Sequence, residues 1–344
     1  MTLRPDQLLK TVAVGPSLTI ALSEGADPRV VAGALAARAQ GLAEIVLVGP
    51  RDAVSTALDA AGGAGTPGIS VHDPADSPLT EHFAQVFFAL RSRRGVTEEQ
   101  AAQAVRDPLV YAALMVREGH AAGTVGGAVA TTSDVVRAAI QMIGKAPGAA
   151  LVSSFFLMYP PDTAAEGARA MLYADSGLVI DPSADELASI AGTSAESFRA
   201  LMRGDPKVAM LSFSTRGSAR HEAVSKVTEA TETLRRAQPD LAVDGDLQFD
   251  AAFVPAVAAR KAPESPVAGQ ANVMIFPNLD AGNISYKITQ RVAGYDAIGP
   301  VLQGLDKPAN DLSRGCSAQD VTQMIAVTVL QAQASRPFPQ TEGA

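Results

Sequence analysis

A chain of 344 residues exceeds the ~250–300 at which one hydrophobic core stops growing, so two domains are expected. Hydrophobic residues make up 47% and charged residues 19%, which supplies ample core and excludes a disordered chain. The net charge of −8 argues against general nucleic-acid binding, since phosphate backbones reward a basic face; an anionic ligand must instead meet a local cluster of arginines.

The N-terminal string MTLRPDQLLKTVAV has no apolar stretch followed by a small-residue cleavage site, so no secretory signal is expected. A single cysteine allows no internal disulfide, which agrees with a cytoplasmic location. From residue 17 onward, apolar β-rich runs alternate with helical patterns. A strand is expected at 17–22, a helix at 28–40, a strand at 44–48, a helix at 53–61 and a strand at 69–72. Helices follow at 80–93 and 97–105, and Asp107-Pro108 opens another that ends near Gly119. Short strands, apolar on both faces and spaced by helices, predict a parallel sheet covered by helices. The run LVYAALMV at 109–116, among the longest apolar runs, falls short of the ~18–20 residues of a membrane span. A second block opens near 149. Apolar runs at 149–158 and 171–180, joined without a helix, predict antiparallel pairing. Then come a helix at 185–203, a strand at 208–214, a helix at 222–237, strands at 241–243 and 272–276, and a final helix at 318–334. The polar tail 335–344 is expected to fray.

Several strings carry groups suited to chemistry. GTVGG at 123–127 and AVATTSD at 128–134 lead into a helix expected at 135–143. Glycines let a ligand approach the backbone closely, and a helix N-terminus offers unpaired N–H groups, which suits a phosphate. Thr131 and Thr132 add hydroxyls there, and Arg137 lies within the first two turns. The same pattern is equally an ordinary helix start. It has neither the Lys-Ser/Thr of a Walker A loop nor the spacing of a Rossmann fingerprint.

NDLSRGCSAQD at 310–320 crowds a hydroxyl, a guanidinium, a carboxylate and the only cysteine into one loop ahead of the final helix. Ser317 to Asp320 fits a capping box, which gives Asp320 a structural role beside any catalytic one. A helix start and Arg314 would lower the pKa of Cys316. A nucleophilic cysteine wants a histidine base, however, and His72, His82, His120 and His221 are not local, so a small buried cysteine is expected. Arg91, Arg93, Arg94, Arg137, Arg216, Arg291 and Arg314 could grip phosphate oxygens in bidentate fashion, or serve as solvated helix-end cations. DGDLQFD at 244–250 could chelate a hard cation, but it lacks EF-hand spacing and the histidines lack ligand spacing. No tightly bound metal is expected.

GGAVATTSDVVRAAIQMIG at 126–144, VAMLSFSTRGSA at 208–219, DGDLQFDAA at 244–252, SPVAGQAN at 265–272, ISYKITQR at 284–291, IGPVLQGL at 298–305 and NDLSRGCS at 310–317 together closely resemble the phosphate acetyltransferases, or phosphotransacetylases. The resemblance is strong from about 120 to 334 and looser before, where SEGADPR at 23–29 looks like a variant of the family's opening loop. The chain resembles the short form, without the extra N-terminal regulatory region of some members.

The resemblance implies the reversible reaction of acetyl-CoA with phosphate to give acetyl phosphate and CoA. It implies direct attack in a ternary complex, with coenzyme A and acetyl-CoA as substrates, and with no metal, no tightly bound cofactor and no acyl-enzyme. Asp320 would be the general base, Ser313 the hydroxyl that contacts the thiol, and Arg314 the cation that stabilises phosphate and developing charge. A carboxylate base suits a thiol whose pKa lies near ~8.5. Arg91, Arg137 and Arg291 would bind substrate, with Thr131 on the phosphate side. The implied fold is α/β: two α/β domains with a cleft between them, isocitrate/isopropylmalate dehydrogenase-like, assembled as a homodimer. The C-terminal helix would return to a discontinuous first domain of residues 1–148 and 305–344, leaving 149–304 as the second.

Three rivals stand beside this reading. A phosphate butyryltransferase would differ only in its pocket wall, where one or two methylenes are worth ~1–3 kcal/mol. A non-catalytic acetyl-CoA-sensing module would lack the need for Ser313, Arg314 and Asp320. A dehydrogenase on the related fold would need a nicotinamide site and a divalent metal, neither of which is found in the sequence.

Overall fold

The structure is a computed structural model that describes Leu9, Val12 and residues 17–164 and 167–334; the tail 335–344 lies outside the described residues. In chain order it contains β1 (Thr19–Leu22), α1 (Pro28–Ala39), β2 (Glu44–Val48), α2 (Arg51–Ala60), β3 (Ile69–His72), α3 (Thr80–Arg91), α4 (Glu98–Ala104), α5 (Pro108–Arg117), β4 (Gly123–Gly126) and α6 (Thr132–Met142). There follow β5 (Ser153–Tyr159), β6 (Met171–Ala174), α7 (Ala184–Met202), β7 (Lys207–Leu211), α8 (Glu222–Ala237), β8 (Ala242–Leu247), α9 (Phe249–Phe253) and α10 (Pro255–Lys261). The chain closes with β9 (Val273–Ile275), α11 (Leu279–Ala293), β10 (Asp296–Gln303), β11 (Ala309–Asp311) and α12 (Ala318–Ala334). The described residues fall into two compact units, one of 17–144 with 305–334 and the other within 145–304.

The first unit is built on a parallel sheet in the order β11-β4-β1-β2-β3. Its central strands have to be apolar on both faces because helices cover both, and Ile20, Leu22, Ile45 and Leu47 are almost wholly buried. Asp27 and Asp107 start α1 and α5: each side chain accepts a backbone N–H two residues on, and each is followed by proline at the first helical position. Phe83, Tyr111, Leu114 and Met142 fill the core between the sheet and one helical layer. On the other side α12 lies along α1 and β4, and glycines set the approach. A Cβ on Gly33 would stand 2.6 Å from Val321 Cβ, and one on Gly123 would stand 2.4 Å from Thr328 Cγ2. GTVG at 123–126, for which no strand is expected from sequence, is therefore an inner strand whose first glycine makes room for a helix.

The second unit carries a mixed sheet in the order β10-β5-β6-β9-β7-β8. β5 is buried along its whole length and pairs antiparallel with both β10 and β6, while β6, β9, β7 and β8 run parallel. The strand expected at 171–180 stops at Ala174. The candidate chelating string at 244–250 is largely strand β8. Asp244 is fully buried and ion-paired with Arg216 at 2.7 Å and with Arg235, and Asp246 accepts the Gly217 N–H at 3.2 Å. These carboxylates are spent on structure. α11 was not expected from sequence; it packs at Gly282 and exposes an apolar stripe of Ile284, Ile288 and Val292. No helix among the described residues is long and apolar enough to cross a membrane.

Candidate active site

Strands β11 and β4 run side by side, with Asp311 opposite Gly126, and the Leu312 N–H donates to the Gly126 carbonyl at 2.7 Å. Two connections therefore leave the same carboxyl edge of the sheet together. One is the loop 312–317 that enters α12; the other is the Gly127–Ala130 stretch that enters α6. The carboxyl edge of a parallel sheet is where α/β proteins hold ligands.

Asp311 locks the two connections. Its Oδ2 accepts the Thr132 hydroxyl at 2.6 Å, whereas Oδ1 is buried with no hydrogen-bond partner. Gly127 makes this possible: at φ +99° it occupies the left-handed region, and a Cβ there would fall 2.1 Å from Asp311 Oδ1. Burial, with the Glu24 charge adding to it, pushes the Asp311 carboxyl up to about 6.

The SEGADPR loop braces both connections. Glu24 Oε2 accepts the Ala128 N–H at 2.6 Å, and Oε1 accepts those of Val129 and Ala130 at 2.9 and 2.7 Å. The backbone donors that the sequence offered to a phosphate thus hold a carboxylate of the protein itself. Arg29 reaches both sides. Its Nη2 donates to the Ala128 carbonyl at 2.7 Å, and its Nη1 donates to the Arg314 carbonyl at 2.6 Å and the Cys316 carbonyl at 3.4 Å. Asp27 clasps the same guanidinium at 2.8 and 3.0 Å, and its carboxyl is held below the usual carboxylate range by that partner. A cavity of about 650 Å³ opens beside Glu24, with Gly49, Pro108, Leu109 and Val129 among its lining.

The residues singled out in the sequence take these places. Ser313, Arg314 and Asp320 are all exposed on the loop and the first turn of α12. The Ser313 hydroxyl oxygen accepts the Gly315 N–H at 3.2 Å. The Arg314 guanidinium forms no ion pair with the described residues. Asp320 completes the capping box: its Oδ2 accepts the Ser317 N–H at 2.8 Å and the Ser317 hydroxyl at 2.9 Å. Cys316 is buried, and burial pushes its thiol up, the opposite of what an exposed helix start beside an arginine would do. Thr131 caps α6 and donates to Asp134 at 2.7 Å, and Asp134 pairs with Arg137 at 2.7 Å, so these three form one exposed chain. Arg91 ends α3 in the same unit. Arg291 lies exposed on α11 in the other unit. Among the described residues no group of three or more His, Cys, Asp or Glu is placed to hold a metal.

Glu24, Arg29 and Asp311 are the participants that sequence reading passed over. Their signal was adjacency to strings already noted: two lie in SEGADPR, and Asp311 directly precedes the Leu312-Ser313-Arg314 run.

Residues 6–329 match the sequence profile of the phosphate acetyl/butaryl transferases. A phosphate acetyltransferase of Paracoccus denitrificans is 51% identical over 91% of this chain and 94% of its own length. The crystal structure of a Streptococcus pyogenes phosphotransacetylase superposes with a TM-score of 0.90 at 42% identity, covering 96% of this chain and 99% of that one. At the level of fold alone, a Salmonella typhimurium protein described as a 4-hydroxythreonine-4-phosphate dehydrogenase aligns over 94% of this chain and 100% of its own, with a TM-score of 0.53 at 14% identity. The α/β class and the dehydrogenase-like fold are those expected from sequence.

Proposed function

Because the chain belongs to the phosphate acetyl/butaryl transferase family and is an acyltransferase, we propose that it moves an acetyl group reversibly between CoA and inorganic phosphate within a ternary complex, with Asp320 as general base. The observation that carries this reading is the exposed triplet of Ser313 and Arg314 on a braced loop and Asp320 on the helix turn that follows it. In the direction of acetyl-CoA synthesis, the CoA sulfur attacks the acetyl carbon of acetyl phosphate while Asp320 takes the thiol proton. The bond from that carbon to the phosphate oxygen breaks, and phosphate leaves with its charge met by Arg314. In reverse, a phosphate oxygen attacks the thioester and the departing thiolate recovers the proton from Asp320. Ser313 accepts from Gly315 and keeps its own proton for the sulfur. The capping-box bonds fall on one oxygen of Asp320, Oδ2, which leaves Oδ1 as the basic atom. Cys316 takes no part: it is buried with its thiol pushed up, a poor nucleophile.

Arg91, Arg137 and Arg291 are assigned to substrate binding, Arg137 by exchanging Asp134, and Thr131 to the phosphate side. The apolar cavity beside Glu24 suits the uncharged part of the thioester. No metal and no tightly bound cofactor enter this scheme. The enzyme is proposed to be cytoplasmic, and to be a homodimer in which the Ile284, Ile288 and Val292 stripe is covered.

The test is thiol release from acetyl-CoA in buffer containing EDTA, on protein whose mass has first been measured by light scattering. Twice the chain mass is expected, and release that depends on added phosphate. A monomer would remove the dimer; release that ignores phosphate would make the protein a thioesterase; binding of acetyl-CoA without release would make it a sensor.

A further inference from the structure

We propose that Arg29 is the positioning residue of the catalytic loop, holding the main chain of Arg314 and Cys316 so that the Arg314 guanidinium is presented to substrate. This rests on the acyl-transfer reading above. Arg29 does not contact the reacting atoms in this scheme; it acts through the loop.

The geometry is specific to a guanidinium. Arginine has five N–H donors in a fixed fork. Here each of the three nitrogens donates to this junction: Nε to Asp27, Nη1 to the carbonyls of Arg314 and Cys316, and Nη2 to Asp27 and the carbonyl of Ala128. One side chain thereby joins three segments that are far apart in sequence: the start of α1, the connection into α6, and the loop into α12. The loop has few other ties. Leu312 donates back to Gly126, and the Cys316 N–H and Gly315 N–H turn inward on Ser313. The Arg314 carbonyl, at the centre of the loop, is fixed by Arg29.

Asp27 sets the fork. It is two residues away, caps α1 with the same oxygen that takes Arg29 Nε, and balances the guanidinium charge. Glu24 fixes the opposite wall by taking three consecutive N–H groups. A lysine at position 29 could present a charge but not a planar fork spanning three carbonyls and a carboxylate. A loop displaced by even about 1 Å can cost on the order of 100-fold in rate, because catalysis depends on alignment.

The experiment compares wild type, Arg29→Gln, Arg29→Lys, Arg314→Gln and the Arg29→Gln/Arg314→Gln double variant. Readouts are kcat, KM for acetyl-CoA and phosphate, and thermal unfolding. Arg29→Gln is expected to lower kcat by roughly 10–100-fold with KM values moved far less, with cooperative unfolding retained, and Arg29→Lys is expected not to rescue. In the Arg314→Gln background, adding Arg29→Gln is expected to change the residual kcat by less than about twofold, since the group it positions is gone. Unchanged kcat in Arg29→Gln, or an equal loss in both backgrounds, would overturn the positioning role while leaving the acyl-transfer reading intact. Wild type without phosphate-dependent release would overturn that reading, and this inference with it. If Arg29→Gln does not fold, Asp27→Asn serves instead. It keeps a helix-capping oxygen but loosens the fork, and its smaller loss of kcat must likewise vanish in the Arg314→Gln background.

Discussion

Asp320→Ala is expected to lower kcat by an amount worth about 2–5 kcal/mol in the barrier, the usual scale for losing a general base. The protein should stay folded. Asp320 is also half of a capping box with Ser317, so removing it costs helix stability as well; a lost cap is worth only about 0.5–2 kcal/mol. Magnitude and choice of substitution separate the two roles. Asp320→Asn retains a side-chain oxygen for the Ser317 N–H and hydroxyl, but an amide cannot take a proton from a thiol. Asn and Ala should therefore lose kcat alike, while only Ala loses thermal stability. Normal turnover in Asp320→Asn would return Asp320 to the role of a cap.

Asp311→Asn is expected to change how stability depends on pH. Asp311 is 1% exposed, one oxygen lacks a partner, and its carboxyl is raised from 3.8 to about 6. A carboxyl raised in the folded state binds its proton more tightly there than in the unfolded chain. Its contribution is thus fully present below the unfolded value and is lost as pH rises through about 6. The shift from 3.8 to about 6 corresponds to about 3 kcal/mol between those limits. Asparagine does not titrate, and whatever its amide costs in the pocket is independent of pH. Part of this is already lost by pH 4, so the difference in unfolding free energy between wild type and Asp311→Asn should move by about 2 kcal/mol in favour of the variant from pH 4 to pH 8. Urea titrations at the two pH values check this; a difference that stays constant would mean that Asp311 is solvated or finds a partner.

The pattern of apolar runs carried most of the sheet. Residues 44–48 read as a strand because a buried parallel strand must be apolar on both faces, and β2 falls on them; 69–72, where Ile69 and Val71 alternate with polar residues, is the partly exposed edge strand β3. The helix at 222–237 and the one at 318–334 are likewise at their expected bounds. What pattern could not show was structure set by partners. Gly123–Gly126 has little strand propensity and is a strand because it is paired on both sides, with β1 and β11, while Gly123 leaves room for α12. β8 contains Asp244 and Asp246, charges that belong in a strand only because Arg216, Arg235 and the Gly217 N–H receive them. In the site, the candidate triplet Ser313, Arg314 and Asp320 stood out because its residues lie within eight positions of one another. Its supports were not: Arg29 and Arg314 are 285 positions apart and meet only through the fold.

Direct transfer without an acyl-enzyme is tested most directly by isotope exchange. The protein is incubated with acetyl phosphate and labelled inorganic phosphate, with and without CoA, and label in acetyl phosphate is followed. Attack in a ternary complex requires that label enters acetyl phosphate only when CoA is present. Exchange in the absence of CoA would mean that the acetyl group rests on the protein between two half-reactions, which would contradict the role given to Asp320 and reopen that of Cys316.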